Sequence, residues 1–385
     1  MGAAGSITYP LGGAEAVVGS QPIMRILSVL GLVALSASLD AQPALDTTHV
    51  VLVTLDGLRW QEVFTGAEGA LIDHEDFVSD PEDVRERFWS EDPMLRREKL
   101  LPFFWSVLAT EGQLYGNRVE GSKVNVTNAH RFSYPGYNEI LTGRADDRID
   151  SNDKLENANV TVLEFLHRLP RFRNAVAAFA SWDVFPYIIN ESRSGIPVNA
   201  GFRPATEDEL TEREHFLNVL QTQTPSPWST VRLDAFTHHY ALEYMKKYQP
   251  RVVYIAYGET DDFAHDGEYD AYLNAAHRTD VFLRDLWSFI QSRAPYRNTT
   301  TLIVTTDHGR GTEPIDTWKS HGTDVPGSDQ IWLAFIGPDT LPRGEMQTEG
   351  QLYQDQVAST LAAFLGVSYT SAEEVGAVIG EAIER

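Results

Sequence analysis

The sequence predicts an α/β protein, a three-layer αβα sandwich around a mostly parallel sheet with lid-like insertions. Three observations carry that expectation. Short apolar, β-branched runs alternate with helical patterns along the 385 residues. One long stretch between two of those runs repeats its apolar residues at helical spacing. Three of the runs end on acids and histidines, as strands do where an open parallel sheet places its site.

The expected strands are HVVLVTL from His49, NAVAAFA from Asn174, RVVYIAY from Arg251, TLIVTT from Thr301 and IWLAFIG from Ile331. Between the third and fourth, Tyr272, Ala276, Thr279, Leu283, Leu286 and Ile290 recur at steps of four and three, and Pro295 closes the pattern. That spacing makes one apolar helix face to lay on the sheet. Two segments fit the rhythm poorly, the acidic, Arg-bearing stretch from about Gly66 to Arg97 and the stretch near 190–230. Both read as insertions over one edge. There is no internal repeat and no low-complexity tract.

Bulk properties narrow the function. A hydrophobic content of 42% is that of a globular chain, and disorder is expected only at the termini. The net charge of −24 argues against a nucleic-acid-binding surface, because a phosphate backbone would be repelled. Cysteine is absent, so any metal must be held by Asp, Glu and His. From Met24, MRILSVLGLVALSASLDAQPA has one Arg, an apolar run and then small residues. This is the layout of a secretory signal peptide, not a membrane span, with cleavage near Ala41 or Ser38. Residues 1–41 are therefore read as a leader, with the part before Met24 as an upstream start, and 42–385 as a single exported catalytic domain.

The strand ends carry the chemistry. VVLVTLDG delivers Asp56, YIAYGETDDFAH delivers Asp261 and His265, IVTTDHG delivers Asp307 and His308, and WKSHGTD follows with His321. Each alone reads better as a cap, a surface acid or a core histidine. Converging at one rim, three Asp and three His suffice for two metal ions with positions left for substrate. Asp262 competes with Asp261, but Asp261 has the four-residue step to His265 that a helical turn places on one face. A nucleophile is offered by RFSYPGYNEILTG, where Ser133 precedes Pro135. Proline suits a first helical turn, so Ser133 would sit at a helix N-terminus, either as a plain N-cap or as an alkoxide favoured by the dipole and a metal.

The series Asp56, Ser133, Asp261 with His265, Asp307 with His308, then His321 resembles the alkaline phosphatase superfamily, most like its type I phosphodiesterase/nucleotide pyrophosphatase branch. The likeness runs from Thr48 to about Gly337. It implies that Asp261, His265 and His321 hold one divalent ion, zinc by the same resemblance, and that Asp56, Asp307 and His308 hold the other, with Ser133 facing the second. It implies phosphoric ester hydrolysis through a phosphoserine, leaning to diesters, on a small-molecule substrate. Phosphomonoesters, transfer of a phospho-headgroup to an acceptor, and an inactive metal-binding scaffold stand as alternatives. Asn152 resembles in position the Asn that contacts a phosphoryl oxygen in relatives, or is a turn residue. Lys319 and Arg310 are cations for extra substrate charge, or exposed surface residues. The branch's nucleophile context is Thr-Phe-Pro-Asn-His, and here SYPGY ends in Tyr137. Sulfatases carry Arg at that place, which disfavours sulfatase chemistry. The Glu that precedes the Asp-x-x-x-His unit by five in three-metal phosphatases is Ala256 here, so a third metal is not expected. The aromatic stretch from Ser181, SWDVFPYIINESRSG, offers a wall for a second ester substituent.

Overall fold

The computed structural model describes residues 44–384 except 207, 208 and 348, together with scattered positions up to 19. The signal-peptide reading from Met24 lies outside the described residues. Residues 44–385 form one compact unit.

Among the described residues there are eleven strands: β1 (His49–Leu55), β2 (Gln113–Tyr115), β3 (Ser122–Asn125), β4 (Val176–Ala180), β5 (Val198–Ala200), β6 (Val252–Tyr257), β7 (Thr300–Thr305), β8 (Gln330–Ile331), β9 (Leu333–Ile336), β10 (Gly344–Glu345) and β11 (Gly350–Tyr353). Eight make the main sheet in the order β10-β2-β9-β7-β1-β6-β4-β5, and β11-β3-β8 make a small one. From β7 to β5 all pairs are parallel, while β9 runs antiparallel to both β7 and β2. All five expected strands are present. The fifth is split, because Trp332 separates β8 from β9 and the two strands join different sheets.

The sheet is buried on both faces, which explains why its strands read as continuous apolar runs. Val51, Val53 and Leu55 of β1 belong to one core, and Val50 and Leu52 to the other. The first core is covered by helices that include Asp234–Tyr248 and Tyr269–Ser292, and the six periodic residues of the latter, Tyr272 to Ile290, are all buried. Helices Ser133–Thr142, Val162–Arg168 and Gln356–Phe364 cover the second. The layers are therefore αβα.

Neither irregular segment simply overlies an edge. The stretch from Gly66 folds into helices Gly69–Ile72, Pro81–Phe88 and Pro93–Leu100, and buries Leu71, Ile72, Phe77, Val84 and Phe88 in the first core. The stretch after Asn190 supplies β5, the edge strand itself, before helix Glu212–Gln223. Its three-residue strand was too short to stand out as an apolar run.

Candidate metal centre

The sheet order places β7, β1 and β6 side by side, so the residues just beyond their carboxyl ends share one rim. Asp307 and His308 follow β7, Asp56 follows β1, and Asp261 and His265 lie on helix Glu259–Asp266 after β6. His321 arrives from the loop after the short 3₁₀ turn Ile315–Lys319. In chain order the three acids are 56, 261 and 307. In space Asp56 stands between the other two strands' ends.

His308 lies at the middle of the cluster. Its Nε2 is 3.3 Å from Asp56 Oδ1, 3.4 Å from Asp307 Oδ2 and 3.7 Å from Asp261 Oδ1. His308 Nδ1 donates to the Gly309 carbonyl at 3.0 Å, which leaves Nε2 with its lone pair as the ligating atom. His321 Nε2 is 3.7 Å from Asp261 Oδ1 and 2.9 Å from His265 Nε2, and His265 Nε2 is 3.2 Å from Asp261 Oδ2. Two donors on one tetrahedral ion at bond lengths of about 2.0–2.1 Å stand about 3.3 Å apart. The observed separations cluster around that value.

Two compact donor groups result, Asp56 with Asp307 and His308, and Asp261 with His308 and His321. The first is the set that the resemblance implies. In the second His308 also falls within range, and His265 stands beside it through Asp261 and His321.

The donor set fits a divalent ion on a separate ground. Asp56 Oδ2 accepts from Tyr137 OH at 2.9 Å and Asp307 Oδ1 from the Gly57 N–H at 3.1 Å. The other oxygens, Asp56 Oδ1 and Asp307 Oδ2, are buried with no hydrogen-bond partner. Leaving buried carboxylate oxygens unpaired costs several kcal/mol unless a cation takes them. Burial pushes both carboxyls well above the ordinary range, and the neighbouring acids, Asp261 for Asp56 and Asp56 for Asp307, push the same way. Asp261 differs: burial raises it, but Arg310, His265 and His321 together hold it well below. Burial, with His308 beside it, lowers His321 to about 2, so its imidazole is neutral and able to ligate.

Ser133 opens helix Ser133–Thr142 at its first position, with Phe132 as the N-cap, and its Oγ is 3.4 Å from His308 Nε2. The plain N-cap reading is therefore replaced by a first-turn hydroxyl beside the donor cluster. The helix is brought in by a close backbone approach, since a Cβ on Gly136 would stand 2.4 Å from the Asp307 carbonyl oxygen. Asn152 is exposed, and its Oδ1 accepts from the Tyr134 N–H at 3.0 Å, one residue from Ser133.

Other placements differ from expectation. Arg310 is not a surface residue, and its Nη1 has no hydrogen-bond partner. It is buried, with its guanidinium on Asp261 Oδ1, on the Asp261 carbonyl at 3.1 Å and on the Gly57 carbonyl at 3.1 Å. The short side of Gly57 makes this possible: a Cβ there would lie 2.8 Å from both Arg310 Nε and Asp261 Oδ1. Lys319 is half-buried and lies 5.7 Å over the Phe77 ring. In the stretch from Ser181, Phe185, Ile188 and Ile189 are core residues, which leaves Trp182 and Tyr187 as its half-exposed aromatics. Asp262 stands outside both donor groups, its carboxyl raised to about 8 by burial and by Asp261.

Sequence reasoning missed the groups that hold the ligands: Tyr137, the Gly57 N–H and Gln354. The Gln354 amide donates to the carbonyls of Thr306 and Asp307 at 3.1 and 2.7 Å. Tyr137 was visible only as a departure from a motif.

The fold is of alkaline-phosphatase-like architecture. The Metalloenzyme superfamily model matches residues 231–369, the part that carries Asp261, His265, Asp307, His308 and His321. No curated protein matches the sequence. Among solved structures, wild type alkaline phosphatase PafA superposes with a TM-score of 0.59 at 11% identity, over 89% of this chain and 100% of that one. The lipoteichoic acid synthase LtaP from Listeria monocytogenes gives 0.54 at 12%, over 85% and 74% of the two chains. The phosphonate monoester hydrolase SpPMH from Silicibacter pomeroyi gives 0.52 at 14%, over 87% and 76%. At such identities the likeness is one of fold. It supports the superfamily resemblance without singling out a branch.

Proposed function

We propose that the protein is an exported hydrolase of phosphoric esters, working through a phosphoserine at Ser133 on a centre of two divalent ions, with phosphodiesters as its favoured class. The observation that carries this is the Ser133 hydroxyl 3.4 Å from His308 Nε2, the atom that also faces the unpartnered oxygens of Asp56 and Asp307. Asp56, Asp307 and His308 would hold one ion, and Asp261, His265 and His321 the other. Oxygen and imidazole donors without thiolate suit zinc. Bound, the ions would lower the pKa of the serine hydroxyl and of water and stabilise the leaving oxygen.

The chain's own groups then do the following. Ser133 Oγ forms the bond to phosphorus while the ester oxygen leaves with its electron pair, and water later cleaves the phosphoserine and restores the hydroxyl. The helix N-terminus behind Ser133 favours the negative charge that develops there. Because Asn152 Oδ1 is occupied by the Tyr134 N–H, its Nδ2 is the group left to donate to a phosphoryl oxygen.

The lean to diesters gains support from the two cations. A monoester carries one more negative charge, yet Arg310 pairs with Asp261 through Nη2, leaving Nη1 without a partner, and Lys319 lies over Phe77. Export rests on the leader from Met24. Among the described residues no helix is long and apolar enough to cross a membrane.

The test is kcat/KM for a chromogenic phosphodiester and for a monoester with the same leaving group, in the parent and in Lys319→Ala. A diester preference untouched by Lys319→Ala is expected. A monoester preference that collapses in the variant reverses the lean. Turnover only with an added alcohol acceptor means a transferase, and no turnover with metal bound means a scaffold.

A further inference from the structure

Tyr137 is the residue at which the nucleophile segment leaves the pattern of its relatives, and the reaction above does not use it. We propose that Tyr137 is a positioning residue for Asp56, so that one helix sets both the nucleophile and the ion it works against. This rests on the two-metal reading of the site.

The geometry is specific. Tyr137 is 0% exposed, and its hydroxyl donates to Asp56 Oδ2 at 2.9 Å, the hydrogen bond that holds the Asp56 side chain. With Oδ2 taken, Oδ1 is the oxygen that faces inward, buried, unpartnered and 3.3 Å from His308 Nε2. A carboxylate turns readily about its last torsion, so the hydroxyl fixes the plane in which an oxygen is presented to the ion.

The same helix makes the contact to the second acid. Tyr137 lies one turn after Ser133 and so on the same face, while Gly136 between them brings the backbone against the Asp307 carbonyl. Both acids are thus met by the four residues that follow Ser133, Asp56 at its carboxylate and Asp307 at its backbone. The Tyr137 ring is held independently of its hydroxyl, by edge packing on Phe185 at 4.6 Å between centroids. Tyr137→Phe therefore keeps the packing and removes only the donor.

The experiment is a zinc titration of parent and Tyr137→Phe against a chromogenic chelator, with melting of both proteins stripped of metal. One of the two equivalents is expected to weaken about 10- to 100-fold, the range for lost partners of metal ligands. The other equivalent is expected to stay at the parent's value, and the metal-free melting temperature to fall, because buried Asp56 Oδ2 loses its donor. A merely structural tyrosine would lower the melting temperature and leave both affinities alone, which overturns the proposal. Equal weakening of both equivalents overturns it too, because the hydroxyl would then act on the whole centre. A parent that binds two ions with an indistinguishable variant refutes the role of Tyr137 alone, whereas a parent that binds none refutes the two-metal reading beneath it.

Discussion

Ser133 and Asp307 ask different things of the same few ångströms. Ser133 lies beside a donor cluster that Asp and His already complete in two groups of three, so Ser133→Ala is expected to retain both metals and lose about three orders of magnitude or more in kcat. Elemental analysis with a turnover assay checks this, and a variant at the parent rate would return Ser133 to the role of a helix residue. Asp307→Ala removes one of two buried carboxylates from a single donor group. That variant should lose at least one metal equivalent and nearly all activity. Arg310 acts one step further out, through Asp261. Arg310→Met leaves a buried carboxylate without its cation, and destabilisation of about 3–5 kcal/mol in urea unfolding is expected, the range for breaking a buried pair.

At the scale of elements, helix Ser133–Thr142 is the part that joins the proposed nucleophile to the proposed metal ligands. Its own placement depends on Glu139, which is buried and accepts from the Thr127 N–H and hydroxyl and from the Asn128 N–H and amide. These four bonds tie the helix to the segment that leads into Ser133. Glu139→Gln puts an amide NH₂ among four donors, so at least one buried donor goes unpaired. A loss of about 1–3 kcal/mol in unfolding free energy is expected, together with a lower kcat at saturating metal. Unchanged stability would mean the tie carries nothing. Strand order matters equally, since only the adjacency of β7, β1 and β6 brings residues 307, 56 and 261 to one rim.

For the whole molecule, buried acids set an opposition between folding and metal binding. Burial lifts the carboxyls of Glu139, Asp234 and Asp280 to about 7, against about 4 in an unfolded chain. Between those values the unfolded chain has released protons that the folded chain keeps, so rising pH favours unfolding. Metal-free protein is therefore expected to melt at falling temperature from pH 4.5 to 7. Metal-loaded protein should show the reverse, because its ligands bind the ion once deprotonated. Parallel melting curves in the two forms across that range would refute the reading.

The pattern of apolar runs and the helical spacing from Tyr272 to Ile290 were enough for the αβα class, because burying a sheet on both faces demands continuous apolar strands. That the acids and histidines after β1, β6 and β7 would lie at one rim was legible for a related reason: a parallel sheet gathers the ends of its strands there whatever their distance along the chain. What the sequence left open was every partner chosen by packing. That Arg310 turns inward to Asp261, that Tyr137 holds Asp56 and that Gly136 admits Asp307 are contacts across 49, 81 and 171 residues of chain, the last from 307 minus 136. No local periodicity encodes them. A charged or aromatic side chain has the same spacing signature whether it faces solvent, substrate or a buried carboxylate, and only the tertiary structure brings it the partner that decides.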